Sequence, residues 1–200
     1  MKTHALRISF LLLAAAVASG CGSAARYMVE QKPPLPLAPA PGKAMVVFVR
    51  PSKWAYAVSA NIIDQNGTFL GDIPAKGHFA VSLPPGQHLL VVWAENTDAL
   101  AVDLAPGKVY FVEVYATPGA WSAHMHMRAI KPGMPQWAMR DQWMVNTTQF
   151  VVSDPAGAQA NLERKGRDRI MERVRRGQEH MTRYSPAQQF ERTLAQADGL

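Results

Sequence analysis

Two imidazoles two residues apart, His124 and His126 within His124-Met125-His126-Met127, are the arrangement in this sequence best suited to holding a metal. On a β-strand successive side chains point to opposite faces, so His124 and His126 share one face and Met125 and Met127 the other. Imidazole suits copper, and thioethers suit its cuprous form in an oxidising compartment. The same alternation prevents all four from reaching one ion. It equally describes methionines in a core beneath histidines and Arg128 on a wet face. His78 and His88 fall on other predicted strands and read as surface residues.

Five tryptophans form the second resource: Trp54, Trp93, Trp121, Trp137 and Trp143. Trp54 and Trp121 lie in loop-like stretches between small residues, where an exposed indole can stack on a sugar ring. Indoles also fill cores, because their large apolar area dominates packing energetics. The third resource is the basic run Arg164 to Arg176 (RKGRDRIMERVRR), with Arg164, Arg167 and Arg175 as candidate contacts to anionic headgroups or to a partner. Its interspersed acids also fit a solvated, ion-paired helix. No nucleophile elbow, zinc-protease helix or phosphate-cradling glycine loop occurs. The acids Asp64, Asp72, Glu95, Asp98, Asp103 and Glu113 read as turn and face residues. A binding module without enzymatic activity or cofactor is expected.

The compartment is set by the one cysteine, Cys21. Lys2 and Arg7 precede an apolar run from Ile8 to Val17, too short to span a bilayer, and Ala18-Ser19-Gly20 lead to the thiol. This stretch resembles the lipobox of bacterial lipoprotein precursors, with Ala18 where that family usually carries leucine. The resemblance implies cleavage before Cys21 and a diacylglyceryl thioether on its sulfur, followed by N-acylation. Two or more acyl chains anchor a protein stably where one does not. Gly22, in place of aspartate, favours sorting to the outer membrane. The other reading is an ordinary secretory leader that leaves Cys21 as an odd thiol. Acylation leaves no cysteine for disulfides or metal sites, so the core must stabilise the fold alone.

Without Lys2 and Arg7, the 21 Lys plus Arg fall to 19 against 15 Asp plus Glu, leaving a net charge of +4. That mild excess suits lipid headgroups or envelope polymers and not nucleic acid. Four segments follow from composition: a leader over 1–20, the acylated cysteine with a proline-rich tether over 21–43, a β domain over 44–152 and a helical appendage over 153–200. Pro33, Pro34, Pro36, Pro39 and Pro41 rule out helix in the tether and favour extended backbone.

From Ala44 to Ile130 short apolar runs alternate with turn signals such as Asn66-Gly67, Pro84-Pro85-Gly86 and Ala105-Pro106-Gly107. The expectation is a mainly β fold, an antiparallel sandwich of about seven to eight strands with a C-terminal α-helical extension. Residues 131–150 read as irregular or as a short extra strand over one edge. Asp154-Pro155 starts a helix running to about Met181, with Leu162, Gly166, Ile170, Val174, Gly177 and Met181 on one stripe. Ser185-Pro186 starts another.

The stretch Gly42 to Gly119 resembles an uncharacterised family of bacterial lipoproteins with a prealbumin-like sandwich, akin to PEGA modules. The resemblance is carried by Ala44-Met45-Val46-Val47-Phe48-Val49-Arg50-Pro51-Ser52, Asp64-Gln65-Asn66-Gly67, Gly77-His78-Phe79 through Gln87-His88, and Ala105 through Tyr110. It implies a fold and brings no catalytic residues. The combined expectation is an outer-membrane lipoprotein, periplasm-facing or surface-exposed. It would bind an envelope protein or glycan, with copper binding at His124 and His126 as the competing reading.

Overall fold

The computed structural model describes residues 25–200, so Cys21 and the leader lie outside the described residues. The fold is mainly β, with 38% strand against 27% helix. Its strands are β1 (Met28–Glu30), β2 (Ala44–Arg50), β3 (Asn61–Asp64), β4 (Phe69–Asp72), β5 (Gly77–Leu83), β6 (Gly86–Trp93), β7 (Thr97–Leu104), β8 (Val109–Pro118), β9 (Ala123–Ile130), β10 (Thr148–Val152) and β11 (Thr193–Leu194). The helices are α1 (Pro135–Asn146), α2 (Pro155–Glu163), α3 (Arg167–Arg183) and α4 (Pro186–Glu191).

Two sheets pack face to face, ordered β1-β10-β5-β2-β8-β9 and β11-β7-β6-β3-β4. Both are mixed, which corrects the antiparallel expectation: β2 runs parallel to β8, β10 to β5 and β11 to β7. The eight strands from β2 to β9 follow the eight apolar runs. Three short strands outside those runs raise the total to eleven among the described residues. Each of the three is an edge or near-edge addition from a chain end or from the segment after β9. None carries enough apolar alternation to register in the sequence.

Three apolar layers explain the patterning. Between the sheets, Val46, Phe48, Ile62, Phe79, Leu90, Leu100, Tyr110, Val112, Met125 and Met127 make the main core. On the outer face of the five-stranded sheet, Ile63, Val91, Trp93 and Ala99 meet Leu162, Ile170 and Val174 from α2 and α3. On the outer face of the other sheet, Met45, Val47, Val49 and Phe111 meet Trp137, Trp143 and Met144 from α1. Strand β2 is therefore buried on both faces, which is why it reads as an unbroken apolar run.

Residues 131–150, expected to be irregular or a short extra strand, hold a helix, α1, and the start of a short strand, β10. No residue of α1 is fully buried and no side chain caps its start, so Pro135 was its one start signal. The expected helix from 154 to 181 is two helices. Asp154 caps α2, accepting from Gly157 N at 2.8 Å. Gly166 then breaks the path at φ 93°, a conformation glycine reaches without steric cost. Of the predicted stripe, Leu162, Ile170, Val174 and Gly177 are buried. A Cβ on Gly177 would lie 3.1 Å from Ala99 Cβ, so glycine lets α3 sit close on β7.

The proline-rich segment, from Ala25 onward, lies along the sandwich instead of running free as a spacer. β1 pairs with β10, and the Gln149 amide brackets Leu35, accepting from its N–H at 2.6 Å and donating to its carbonyl at 3.1 Å. Leu37 packs on the α1 layer. Proline content foretells extended backbone but not whether that backbone is docked.

The free edge of β9 is sealed by side chains. Asn96 accepts from Met125 N and donates to Met125 O, both at 2.8 Å, and Asp98 accepts from Met127 N at 3.0 Å. Asn96 and Asp98 thus pair with an edge that would otherwise expose its backbone. Asp98 is 2% exposed, a buried hub instead of the face residue expected. It also receives Tyr184 Oη, Arg192 and His126 Nδ1, the last at 3.3 Å. Burial alone would raise its carboxyl, but the His126 bond, the Arg192 charge and the Tyr184 bond outweigh it and hold it below the ordinary value. The C-terminal tail is thereby locked to the seam between the sheets.

Candidate functional site

At one end of the sandwich three connections converge: β2 to β3, β6 to β7 and β8 to β9. The first and the third line a cleft of about 440 Å³, Trp54 coming from one and Trp121 from the other. Trp121 is 95% exposed and Trp54 48%, with Tyr56 beside it at 78%. The floor is made of small or apolar residues, among them Ala55, Val58, Pro118 and Ala123. Large exposed aromatics in a concave site mark recognition surfaces, because leaving them in water costs free energy that a partner recovers.

Both rims are held from beneath by charged side chains. Arg50 ends β2 fully buried. Its guanidinium donates to the carbonyls of Val58 at 2.7 Å, Ile73 at 3.3 Å, Trp54 at 2.9 Å and Ala55 at 2.6 Å. A planar fork with several donors can serve carbonyls of the β2–β3 loop and of Ile73 after β4 at once. Ala55 sits at φ 54°, a region alanine rarely adopts, and its carbonyl is one of the four that Arg50 holds. Burial pulls the Arg50 guanidinium below its usual value, with the Asp72 charge acting against that.

The far end of the same loop is tied to Asp72, which accepts from Ser59 Oγ and from Ala60 N at 2.9 Å. Asp72 is buried, again not the face residue expected, and burial raises its carboxyl to about 6 against the Ser59, Ala60, Lys165 and Arg50 contributions. Unfolded, an aspartate titrates near 3.9. The folded state therefore holds a proton more tightly, and stability associated with Asp72 is lost as pH rises from about 4 through about 6. The loss is at most about 3 kcal/mol. In urea unfolding, Asp72→Asn is expected to match the wild type near pH 4 and exceed it at pH 7. Parallel stability curves for the two proteins would contradict this coupling.

The opposite rim is fixed by Glu95, whose carboxylate accepts from Trp121 N at 3.3 Å and Ser122 N at 2.7 Å. Gly119 makes the tight path possible, since a Cβ there would fall 2.2 Å from Ser122 O. Both indoles are thus carried on pre-organised loops, which lowers the ordering cost of binding. Among the described residues no ionisable side chain lines the cleft. Its exposed indoles can stack on a ligand.

The remaining candidates are dispersed. His124 and His126 do share a face, their ring centres 6.4 Å apart, while Met125 and Met127 are buried in the core as alternation requires. His126 has both nitrogens engaged, Nδ1 with Asp98 and Nε2 with Thr117 Oγ1 at 3.0 Å. That leaves no free lone pair on it for a metal, and among the described residues no group of three His, Cys, Asp or Glu is placed to hold one. His78, expected at the surface, is buried and bonded to Thr147 Oγ1 at 2.7 Å. Arg175 pairs with Glu172 at 2.7 Å and with Glu179. Arg164 bonds Asn161, and Arg167 is exposed. Trp93, Trp137 and Trp143 pack in the two outer layers.

A larger cavity of about 540 Å³, not foreseen in the sequence, lies between β6, β7 and the C-terminal segment. Several of its polar groups are bonded internally. Lys131 donates to Thr193 O at 3.1 Å and lies 3.8 Å from the Phe190 ring centre, and His88 Nε2 bonds Pro84 O at 2.8 Å. Asp103 likewise receives Gln196 at 3.0 Å. The signal for it was the tail's return as β11, which no local pattern announces. No family model matches this chain, and no curated protein matches it either.

Proposed function

We propose that this protein is a lipid-anchored module of the cell envelope that binds a saccharide between Trp54 and Trp121. The observation that carries the reading is the pair of exposed indoles lining one cleft, with no charged side chain in its lining among the described residues, on loops held by Arg50 and Glu95. A sugar ring offers two faces of axial C–H groups that pack on aromatic rings, and hydroxyls at its rim that stay in water or reach backbone groups. A neutral, flat, amphipathic ligand fits such a site better than an ion does. The anchor belongs to the same proposal: acylation at Cys21, with Gly22 directing the protein to the outer membrane, would hold the cleft beside envelope polymers.

Full-length protein in neutral detergent, mixed with isolated cell-wall material and sedimented, provides the test. Retention should weaken at least about 30-fold in a Trp54→Ala/Trp121→Ala variant, since each buried aromatic anchor contributes on the order of 1 kcal/mol or more. Equal retention of the two proteins would remove the cleft from the proposal. Mass spectrometry of the native protein should find the diacylglyceryl thioether on Cys21.

A further inference from the structure

On the flank of the five-stranded sheet, three cations converge on one indole. Lys165 Nζ lies 4.5 Å from the Trp93 ring centre, the Arg173 guanidinium 5.0 Å and that of Arg169 5.8 Å. Arg169 and Arg173 are four residues apart on α3, where like charges repel and destabilise a helix, and Lys165 joins them from the turn before it. No carboxylate of the described residues lies within salt-bridge distance of any of the three, and the residues before Ala25 contain no Asp or Glu. The next turn of the same helix is built the other way: Glu172 pairs with both Arg175 and Arg176. The chain thus neutralises one side of α3 and leaves the other side concentrated and positive.

Trp93 is buried beneath the three side chains, so they spread over a rigid plate instead of moving freely in solvent. Arg173 is further fixed, donating to Thr97 Oγ1 at 2.9 Å. Partial burial, with Arg169 and Arg173 adding to it, holds Lys165 below the ordinary lysine value despite the raising effect of Asp72. Such a cluster is relieved by one thing: an anion with several acceptor oxygens.

We propose that Lys165, Arg169 and Arg173 form a binding site for a dianionic phosphate group, separate from the aromatic cleft. Guanidinium groups match phosphate oxygens in pairs, and the ammonium adds a point charge. The ligand is either free phosphate or the terminal phosphomonoester of a lipid such as phosphatidic acid, since both present dianionic oxygens.

The test uses full-length protein in neutral detergent at about 0.15 M salt. It is titrated calorimetrically with inorganic phosphate, with short-chain phosphatidic acid and with the matching uncharged diacylglycerol as blank. Lys165→Gln/Arg169→Gln should weaken binding about tenfold or more, while Arg175→Gln/Arg176→Gln, which removes the same charge one turn away, should leave it unchanged. All four positions hold exposed side chains, and matching melting curves will show that the variants fold alike. Binding of phosphate and phosphatidic acid supports the site, and binding of phosphatidic acid alone supports it with lipid as the source. Equal weakening in both variants would reduce the cluster to diffuse charge and overturn it, as would failure of the wild type to bind either anion.

Discussion

Asp98→Ala is expected to destabilise the protein by about 3–5 kcal/mol, the range for removing one partner from a buried charged pair. The carboxylate is the one acceptor shared by Met127 N, His126 Nδ1, Tyr184 Oη and Arg192. Deleting it leaves the largely buried Arg192 charge with only the more distant and exposed Glu191 carboxylate at 3.9 Å and the Tyr115 hydroxyl at 3.2 Å. It also frees one backbone donor on the sealed edge of β9. Urea unfolding should show the loss, and limited proteolysis should cut the tail after α3 earlier than in the wild type, because Tyr184 and Arg192 tie its start to the seam while β11 on β7 and Lys131 on Thr193 O hold its end. Asp98→Asn, which keeps the shape but cannot satisfy the cation, should fall between. A tail that stays protected in the alanine variant would show that α3 packing on Val91 and Ala99 is sufficient by itself. Acid should mimic the substitution: a carboxyl held low in the fold contributes stability above about pH 4, lost as pH falls through its folded value.

The second large effect is expected at Arg50. Arg50→Met fills similar volume and removes the guanidinium donor of the Trp54, Val58 and Ile73 carbonyls, while Ala55 O keeps the Val58 N–H at 2.9 Å. Buried acceptors left unpaired cost about 1–3 kcal/mol each, but a surface loop can turn some of its carbonyls to water. A net loss of about 2–4 kcal/mol follows. The more specific consequence is local. Residues 51–59 lose the contacts that hold Ala55 at φ 54°, so hydrogen exchange there should accelerate while β5 and β8 stay protected. Arg50→Lys should rescue little, since one ammonium cannot span carbonyls at Trp54, Ala55, Val58 and Ile73 together. Unchanged exchange in this loop would mean that Asp72, through Ser59 and Ala60, fixes it unaided.

What the sequence reveals and hides divides along physical lines. Strands β2 to β9 were legible because each buries at least one face, and burial writes itself as apolar alternation or an apolar run. The turns at Gly67 and Gly107 were legible too, both at φ 75°, where few other residues fit. β1, β10 and β11 were hidden because two to five edge residues need no periodicity, only a neighbour with free backbone groups. The mixed sheets follow from the same cause, since parallel pairing depends on how the chain returns and not on local residue types.

At the site, Trp54 and Trp121 were legible as loop indoles, and the structure brings them to one cleft. Arg50 and Glu95 were not, because an arginine ending an apolar run looks like any strand terminus. Asp72 and Asp98 were misread as surface acids for a related reason. A buried carboxylate is identified by donors arriving from distant segments, and sequence spacing carries no trace of them.

The most direct measurement is an amide and indole NMR titration of full-length, nitrogen-labelled protein in neutral detergent. The probe is the pool of soluble oligosaccharides released from cell wall by enzymatic digestion. The indole N–H signals of Trp54 and Trp121 are predicted to move together and saturate, while those of Trp93, Trp137 and Trp143 stay in place. Saturating saccharide that leaves the first two signals unmoved, or that moves only the packed three, would contradict a saccharide site at this cleft.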